Sequence, residues 1–245
     1  MIEFRDVSLS FGHQTIFENL SFTAKFHERV AMLGGSGSGK TTILKLILGL
    51  VRPDEGRILI EDRPIEDLSE SQLRPFRMMF NIVFQDGALF DSMSVKENVA
   101  FCLREYTRLS EAQIDQRVRE LLKSMAIEEA IHMMPEELSG GMRRRVAIAR
   151  SLAECEPKMF LYDEPTTGLD PIAADSICEL IKQLSAGDRS ERRGFMLVTH
   201  KVTDARAVAR RFIYLRNRRI AFDGDLPALK RTHDSELKQF VREIL

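Results

Sequence analysis

Residues 34–41 read Gly-Gly-Ser-Gly-Ser-Gly-Lys-Thr, and the prediction of the fold starts from them. Glycines at four of its first six positions let the backbone curl so that successive N–H groups face one phosphate-sized space. A continuous apolar run at residues 30–33 precedes the loop and predicts a strand buried on both faces. A helix is predicted from Lys40 to about Leu50. Strand, glycine loop and helix N-terminus in this order predict a phosphate-binding site.

The same eight residues match G-x-x-x-x-G-K-[S/T], the P-loop pattern of nucleotide-binding proteins. The pattern places Lys40 on the β- and γ-phosphates and gives the Thr41 hydroxyl to Mg²⁺. We therefore expect a nucleotide and Mg²⁺ as cofactors, and up to this point a P-loop kinase or a GTPase would also fit. The predicted nucleotide-binding residues of this loop are Gly34, Gly35, Ser36, Gly37, Ser38, Gly39, Lys40, Thr41 and Thr42.

A second apolar run, residues 159–162, ends at Asp163 and Glu164. Acidic residues at the carboxyl end of a central parallel strand lie in the crevice where ligands bind. Asp163 is expected to hold Mg²⁺, and Glu164 to orient and deprotonate the attacking water. An acidic pair in this position would by itself be more typical of a helix N-cap, but a P-loop upstream favours the catalytic interpretation.

Residues 138–142 read Leu-Ser-Gly-Gly-Met and are followed by Arg-Arg-Arg-Val-Ala-Ile-Ala-Arg-Ser-Leu. This segment resembles the signature of the ABC transporter ATPases, usually written LSGGQ. The resemblance implies that Ser139, Gly140 and Gly141 bind the γ-phosphate of an ATP held by the P-loop of a second subunit. It therefore implies a homodimer with two composite sites.

Other motifs of this family follow in the expected order. Phe11 lies where an aromatic residue stacks on adenine, and Gln85 matches the glutamine that contacts Mg²⁺ and the attacking water. Asp170, in Gly-Leu-Asp at residues 168–170, matches the loop that communicates across the dimer. His200 matches the histidine that senses the γ-phosphate. The resemblance covers residues 1 to about 225 and assigns catalytic roles to Lys40, Gln85, Glu164 and His200.

The strand and helix patterns predict an α/β fold of four segments. Residues 1–87 are expected to form an N-terminal antiparallel β subdomain and the first part of a P-loop NTPase (RecA-like) core. Residues 88–153 are mostly helical, with capping-box spacings at Ser94 and Ser110, and form an inserted signature subdomain. Residues 154–225 complete the core. Residues 226–245 are expected to form a helical tail.

Three features resemble the ATPases of the Mla/Mce lipid transport systems: Met142 at the end of the signature, the segment 86–101, and the tail. These systems move phospholipid or related lipids between bacterial inner and outer membranes. An ATPase of an importer for amino acids or other small polar solutes is the alternative. In the tail, Leu237, Phe240, Val241, Ile244 and Leu245 form one apolar face, which would pack either on its own core or on a second subunit.

The composition narrows the partners. Lys+Arg is 36 and Asp+Glu is 37, a net charge of -1, which gives no electrostatic reason to expect nucleic acid. No stretch approaches 18 apolar residues, so we expect no membrane span. The resemblance then implies a peripheral location at the cytoplasmic face of the inner membrane. The resemblance implies docking on an integral-membrane permease, with a STAS-domain protein and a periplasmic Mce-domain lipid-binding protein as further partners. A small-molecule P-loop kinase would not need the signature, and ABC proteins of DNA repair or translation usually carry two cassettes or long coiled-coil inserts.

Overall fold

The structure is a computed structural model that describes residues 1–85, 87–154, 157–186 and 193–242. Asp86, Ile244 and Leu245, which entered the predictions above, lie outside the described residues. The described strands form one sheet of four strands, in the order β2-β1-β4-β5, and one of six, in the order β10-β9-β3-β8-β7-β6. The strands are β1 (Ile2–Phe11), β2 (Gln14–Ala24), β3 (Arg29–Gly34), β4 (Glu55–Ile60), β5 (Arg63–Pro64), β6 (Phe80–Val83), β7 (Met159–Asp163), β8 (Gly194–Thr199), β9 (Arg211–Arg216) and β10 (Arg219–Asp225).

Nine α-helices lie in the described residues: α1 (Lys40–Ile47), α2 (Glu70–Arg77), α3 (Val95–Tyr106), α4 (Glu111–Ser124), α5 (Gly140–Glu154), α6 (Pro171–Leu184), α7 (Val202–Val208), α8 (Leu226–Lys230) and α9 (Ser235–Phe240). The α/β class, the antiparallel N-terminal sheet and the helical insertion are as predicted. No helix among the described residues is long and apolar enough to cross a membrane.

The six-stranded sheet is parallel except for β10, and β7 and β8 are buried along their whole length. Alternate residues face two different cores. Leu33, Tyr162 and Leu197 pack with α3, α4 and α5, whereas Met32 and Val198 pack with α1 and the antiparallel sheet. Because the strands are parallel, β3, β7 and β8 end at one edge, where the glycine loop, the acidic pair and His200 follow them.

The local helix signals are confirmed, with one shift in boundary. The capping boxes at Ser94 and Ser110 form, and their side chains accept from the N–H groups of Glu97 and Gln113. Helix α1 ends at Ile47 and not near Leu50, because Gly49 takes a left-handed φ of 63° and its N–H donates to the Leu46 carbonyl.

The strand before Gln85 is β6. It ends at Val83, where its pairing with β7 ends, so Phe84 lies outside the sheet.

The tail packs on its own chain. Leu237 and Val241 are fully buried in the core that contains the helical segment, and Phe240 is partly buried against it. The Arg216 guanidinium fixes the start of α9 through contacts of 2.7 Å to Asp234 and 2.9 Å to Glu236. Helix α9 ends at Phe240 and is shorter than the helix predicted for the tail.

Candidate nucleotide-binding site

A cavity of about 670 Å³ opens at the edge where the parallel strands end. It brings together most of the residues predicted from the P-loop, the acidic pair and the flanking motifs. Its lining residues are Phe11, Ile16, Gly35, Ser36, Gly37, Gly39, Lys40, Thr41, Thr42, Gln85, Glu164, His200 and Phe240. Phe11 is half exposed at one end, so its ring is available for stacking on a base.

The glycine loop has the conformation that its composition predicts. Gly37 and Gly39 take φ values of 76° and 94°, a region that residues with a Cβ rarely enter. Gly39 also lies against the four-stranded sheet, because a Cβ there would stand 2.6 Å from Cζ of Phe17. Gly34 is similar, since a Cβ would meet Oγ of Ser38 at 2.5 Å. Gly39 is therefore required by backbone shape and by close packing, and Gly34 by close packing.

Lys40 is buried and points back along the loop. Its Nζ donates to the carbonyls of Gly34 and Gly35, each at 3.0 Å, and lies 3.6 Å from Oε1 of Glu164. Burial lowers the pKa of Lys40, and the nearby carboxylates of Glu164 and Asp163 partly offset this effect. The ammonium group is thus held at the mouth of the loop, where phosphate oxygens could replace its carbonyl acceptors.

Thr41 and Asp163 form the oxygen pair predicted for a cation. The Thr41 hydroxyl donates to Oδ1 of Asp163 at 2.9 Å, which joins the start of α1 to the end of β7. Burial raises the pKa of Asp163, and the neighbouring charge of Glu164 adds to the increase, whereas Thr41 and Lys40 oppose it. A hydroxyl and a carboxylate are ligands that Mg²⁺ prefers, and a cation between them would relieve the buried charge. These residues fit a magnesium ion.

Glu164 lies at the centre of a hydrogen-bond network. Its Oε2 lies 2.9 Å from Nδ1 of His200 and accepts from the hydroxyls of Thr167 at 3.0 Å and Thr199 at 3.2 Å. Burial alone would raise the pKa of Glu164, but His200, Thr167 and Lys40 together bring it below its ordinary value. The backbone is held as well, since φ is 47° and the N–H donates to the Val198 carbonyl. Two adjacent carboxylates thus have pKa values moved in opposite directions.

The signature residues lie apart from this cavity. Ser139 caps α5, its Oγ accepting from the N–H of Met142 at 3.2 Å. Gly140 and Gly141 pack against the segment that begins α6, where Asp170 caps the helix by accepting from the N–H of Ala173 at 3.0 Å. None of Ser139, Gly140, Gly141 or Asp170 is among the described residues that line the cavity.

Four contributions were not predicted. Ile16 and Phe240 line the cavity, and the hydroxyls of Thr167 and Thr199 donate to Glu164. Phe240 belongs to the apolar tail face, but the sequence does not show which surface that face covers. In the structure the centroid of the Phe240 ring lies 4.9 Å from that of the Tyr214 ring. Tyr214 in β9 pairs with Leu33 in β3, the strand that leads into the glycine loop.

Several known proteins are similar to this chain in sequence and in fold. The family model described as ABC transporter matches residues 17–167. The intermembrane phospholipid transport system ATP-binding protein MlaF of Escherichia coli strain K12 is 37% identical, over 98% of this chain and 88% of that protein. The methionine import ATP-binding protein MetN of Clostridium tetani is 35% identical, over 99% of this chain and 75% of that protein.

The chain also resembles a solved structure, a dimeric post-hydrolysis state of the ATP-binding cassette MJ0796 bound to ADP and Pi. The TM-score is 0.82 with 31% identity, over 92% of this chain and 99% of that one. The chain therefore belongs to the ABC transporter family, as one of its ATPase subunits.

Proposed function

We propose that this ATPase powers the movement of phospholipid or related lipids between the inner and outer membranes of a bacterium. The observation that carries the proposal is the 37% identity to a phospholipid transport ATP-binding protein along nearly the whole chain. Met142 at the end of the signature and the C-terminal tail also support the proposal, because both resemble the Mla/Mce ATPases. We further propose that the chain works as a homodimer docked on a permease at the cytoplasmic face of the inner membrane.

The chemistry follows from the arrangement around Glu164. We infer that its carboxylate accepts a proton from the water that attacks the γ-phosphate, since its pKa below the ordinary value keeps it ionised. His200, at 2.9 Å, orients the carboxylate, and Lys40 and Gln85 contact the γ-phosphate and the water. Thr41 and Asp163, with Gln85, would hold Mg²⁺. Bound there, Mg²⁺ would supply positive charge next to the β- and γ-phosphates.

A dimer completes the proposed site. Ser139, Gly140 and Gly141 lie outside the cavity of their own chain, yet Gly140 begins a helix whose first N–H groups have no partner within the helix. We propose that these groups bind the γ-phosphate of ATP held by the partner's P-loop. The dimeric form of the similar cassette supports this arrangement.

A second cavity, of about 570 Å³, supports docking on a permease. It lies between α2, β6 and the end of α3, that is, between the core and the proposed helical subdomain, residues 88–153. Three of its apolar side chains are strongly exposed: Leu50, Met78 and Tyr106. Phe84, next to Gln85, lines the same groove. A permease segment bound there would lie against Phe84, which is next in sequence to Gln85 of the nucleotide site.

We include as further partners a periplasmic Mce-domain lipid-binding protein and a small STAS-domain protein. Their support is the resemblance to Mla/Mce systems alone. Lipid is not expected to touch this subunit, so the proposed lipid specificity lies in the partners.

The proposal is tested in a strain that lacks the protein. We expect greater sensitivity to detergent and an altered distribution of phospholipid between the membranes, both restored by the wild-type gene and not by Glu164→Gln. A Leu50→Glu variant should keep the ATPase activity of the isolated protein and fail to restore the strain, because it charges the docking groove. Normal detergent tolerance and lipid distribution, with defective uptake of a polar solute, would instead favour a small-solute importer. The similarity to a methionine import protein is what favours that second candidate.

A further inference from the structure

Arg144 connects the helix that follows the signature to the loop that follows Glu164. Its side chain is buried, with 6% of the residue exposed. Nε donates to the Pro165 carbonyl at 3.1 Å, and Nη2 donates to the Thr167 carbonyl at 3.3 Å. A buried guanidinium that donates to two carbonyls of one loop fixes the position of that loop.

The loop held by Arg144 in turn holds Glu164. The Thr167 hydroxyl donates to Oε2 of Glu164 at 3.0 Å, and the Thr167 N–H donates to the Glu164 carbonyl at 3.1 Å. Two hydrogen bonds therefore separate the Arg144 guanidinium from the carboxylate proposed as the general base. Lys201 fixes the same loop from the other side, since its Nζ donates to the Thr166 carbonyl at 2.9 Å.

The signature glycines rest on the far end of this loop. A Cβ on Gly140 would lie 3.1 Å from Cδ2 of Leu169, and one on Gly141 would lie 3.5 Å from Cβ of Ala173. The signature turn, α5 and the segment 164–173 are thus packed as one unit. A displacement of the start of α5 moves the backbone that carries Glu164.

We propose that Arg144 is a positioning residue for Glu164 of its own chain, where it ties the general base to the helix that follows the signature. The inference rests on the dimer proposed above. In that dimer the signature of a chain contacts ATP in the partner's P-loop, whereas Glu164 of the same chain acts on ATP in its own P-loop. Arg144 is the buried side chain that spans these two parts.

Neighbouring Arg143 provides a matched control. It lies one position earlier on α5, and its Nη1 donates to the carbonyl of Pro135 at 3.4 Å. Pro135 belongs to the segment before the signature. Arg144→Gln should lower kcat by about tenfold or more, because small misplacements of a catalytic group are costly. The KM for ATP should change less than twofold. Arg144→Lys, which keeps the charge and one donor, should recover part of kcat, and Arg143→Gln should stay near wild type.

Heterodimers with one silenced site assign the direction of the effect. Lys40→Ala in the second chain silences the site that uses the second chain's P-loop. The remaining site uses Glu164 of the first chain and the signature of the second. Arg144→Gln placed in the first chain should then lower kcat, whereas the same change in the second chain should leave it unaltered.

An effect that follows the second chain, or appears equally in both positions, would overturn the proposal, since Arg144 would then support the signature turn and not Glu164. A normal rate in both positions would overturn it as well. Failure of the dimer itself is recognised separately. The reference heterodimer, silenced in one chain and otherwise wild type, would then not lose its remaining activity when Gly141→Asp is added to the second chain.

Discussion

Nδ1 of His200 lies 2.9 Å from Oε2 of Glu164, although 36 positions separate the two residues in the chain. The contact exists because β7 and β8 are neighbours in the sheet and both end at its carboxyl edge. His200 is half exposed while the Glu164 side chain is mostly buried, and both line the cavity. Its position suits a residue that registers the γ-phosphate and passes the change to Glu164.

Glu164→Gln should leave ATP binding intact and reduce hydrolysis by about 10²–10⁴, since the amide cannot accept a proton from water. The dimer should persist with ATP bound. Single-turnover hydrolysis and gel filtration with ATP measure the two effects. Glu111→Gln, on the surface of α4, serves as the control and should hydrolyse normally. Wild-type turnover in Glu164→Gln would contradict the assignment of the general base.

Lys40→Ala should act on binding itself. It removes the charge proposed to contact the β- and γ-phosphates, and a hydrogen bond to a charged group contributes about 1.5–3 kcal/mol. That corresponds to roughly 10- to 150-fold weaker binding of ATP by titration calorimetry. Lys123→Ala, a loss of equal charge at the exposed end of α4, should bind normally. Unchanged affinity in Lys40→Ala would remove Lys40 from the phosphate site.

Asp163→Asn should stabilise the protein in the absence of nucleotide at neutral pH. Because folding raises the pKa of this carboxyl, the unfolded chain releases the proton first as pH rises, and the free energy of unfolding falls until the folded pKa is passed. Above the folded pKa, the buried charge of Asp163 lowers the free energy of unfolding by its full amount. Asparagine carries no charge and still accepts from Thr41, so the Tm should rise by about 2–4 °C for each kcal/mol regained.

In thermal melts with magnesium and ATP, wild type should have a higher Tm than Asp163→Asn, since the variant lacks a proposed Mg²⁺ ligand. Below the ordinary pKa of aspartate, about 3.9, wild type and variant should converge. Asp175→Asn, exposed on α6, should show neither effect. A lower Tm for Asp163→Asn at neutral pH without nucleotide would show that the buried charge is not a net cost.

Mixing Lys40→Ala chains with Gly141→Asp chains should restore part of the activity that each lacks alone. In the mixed dimer one site has an intact P-loop and an intact signature, and the other has neither. A carboxylate at residue 141 would repel the γ-phosphate wherever it faces one. ATPase rates are measured across mixing ratios. Normal hydrolysis by Gly141→Asp alone would exclude the composite site.

Leu237→Ala should lower the free energy of unfolding of the single chain by about 2–5 kcal/mol, because Leu237 is fully buried in the chain's own core. Urea unfolding at concentrations below dimerisation measures the change. Lys238→Ala, exposed on the same helix, should change it by less than about 0.5 kcal/mol. Full single-chain stability with weakened dimerisation would place the tail on the partner instead.

The sequence predicts the parts of the site that are continuous along the chain. The glycine loop, the strand ending at Asp163 and the capped helices each follow from neighbouring residues, because turn geometry and periodicity are local properties. Contacts between distant segments do not follow in this way. The approach of Lys40 to within 3.6 Å of Glu164 depends on the strand order, with β8 between β3 and β7.

Phe240 illustrates the same limit. Its place on an apolar face at helical spacing could be read directly, but its position in the nucleotide cavity depends on β9 lying beside β3 and on the ion pairs of Arg216 with Asp234 and Glu236. The role of Arg144 was hidden for another reason. Three consecutive arginines look alike in the sequence, and only the packing distinguishes the buried one from its neighbours.

The contact of Gly39 with Phe17 has a consequence for the choice of substrate. Since no side chain separates the end of the glycine loop from β2, the sheet that carries Phe11 cannot shift along the loop without breaking this contact. The span between the Phe11 ring and Lys40, the residues proposed to contact the base and the phosphates, is therefore fixed before any nucleotide binds. A pocket of fixed length distinguishes nucleotides by the number of phosphates between the sugar and the glycine loop. Triphosphates and diphosphates therefore make different numbers of contacts, whatever base they carry.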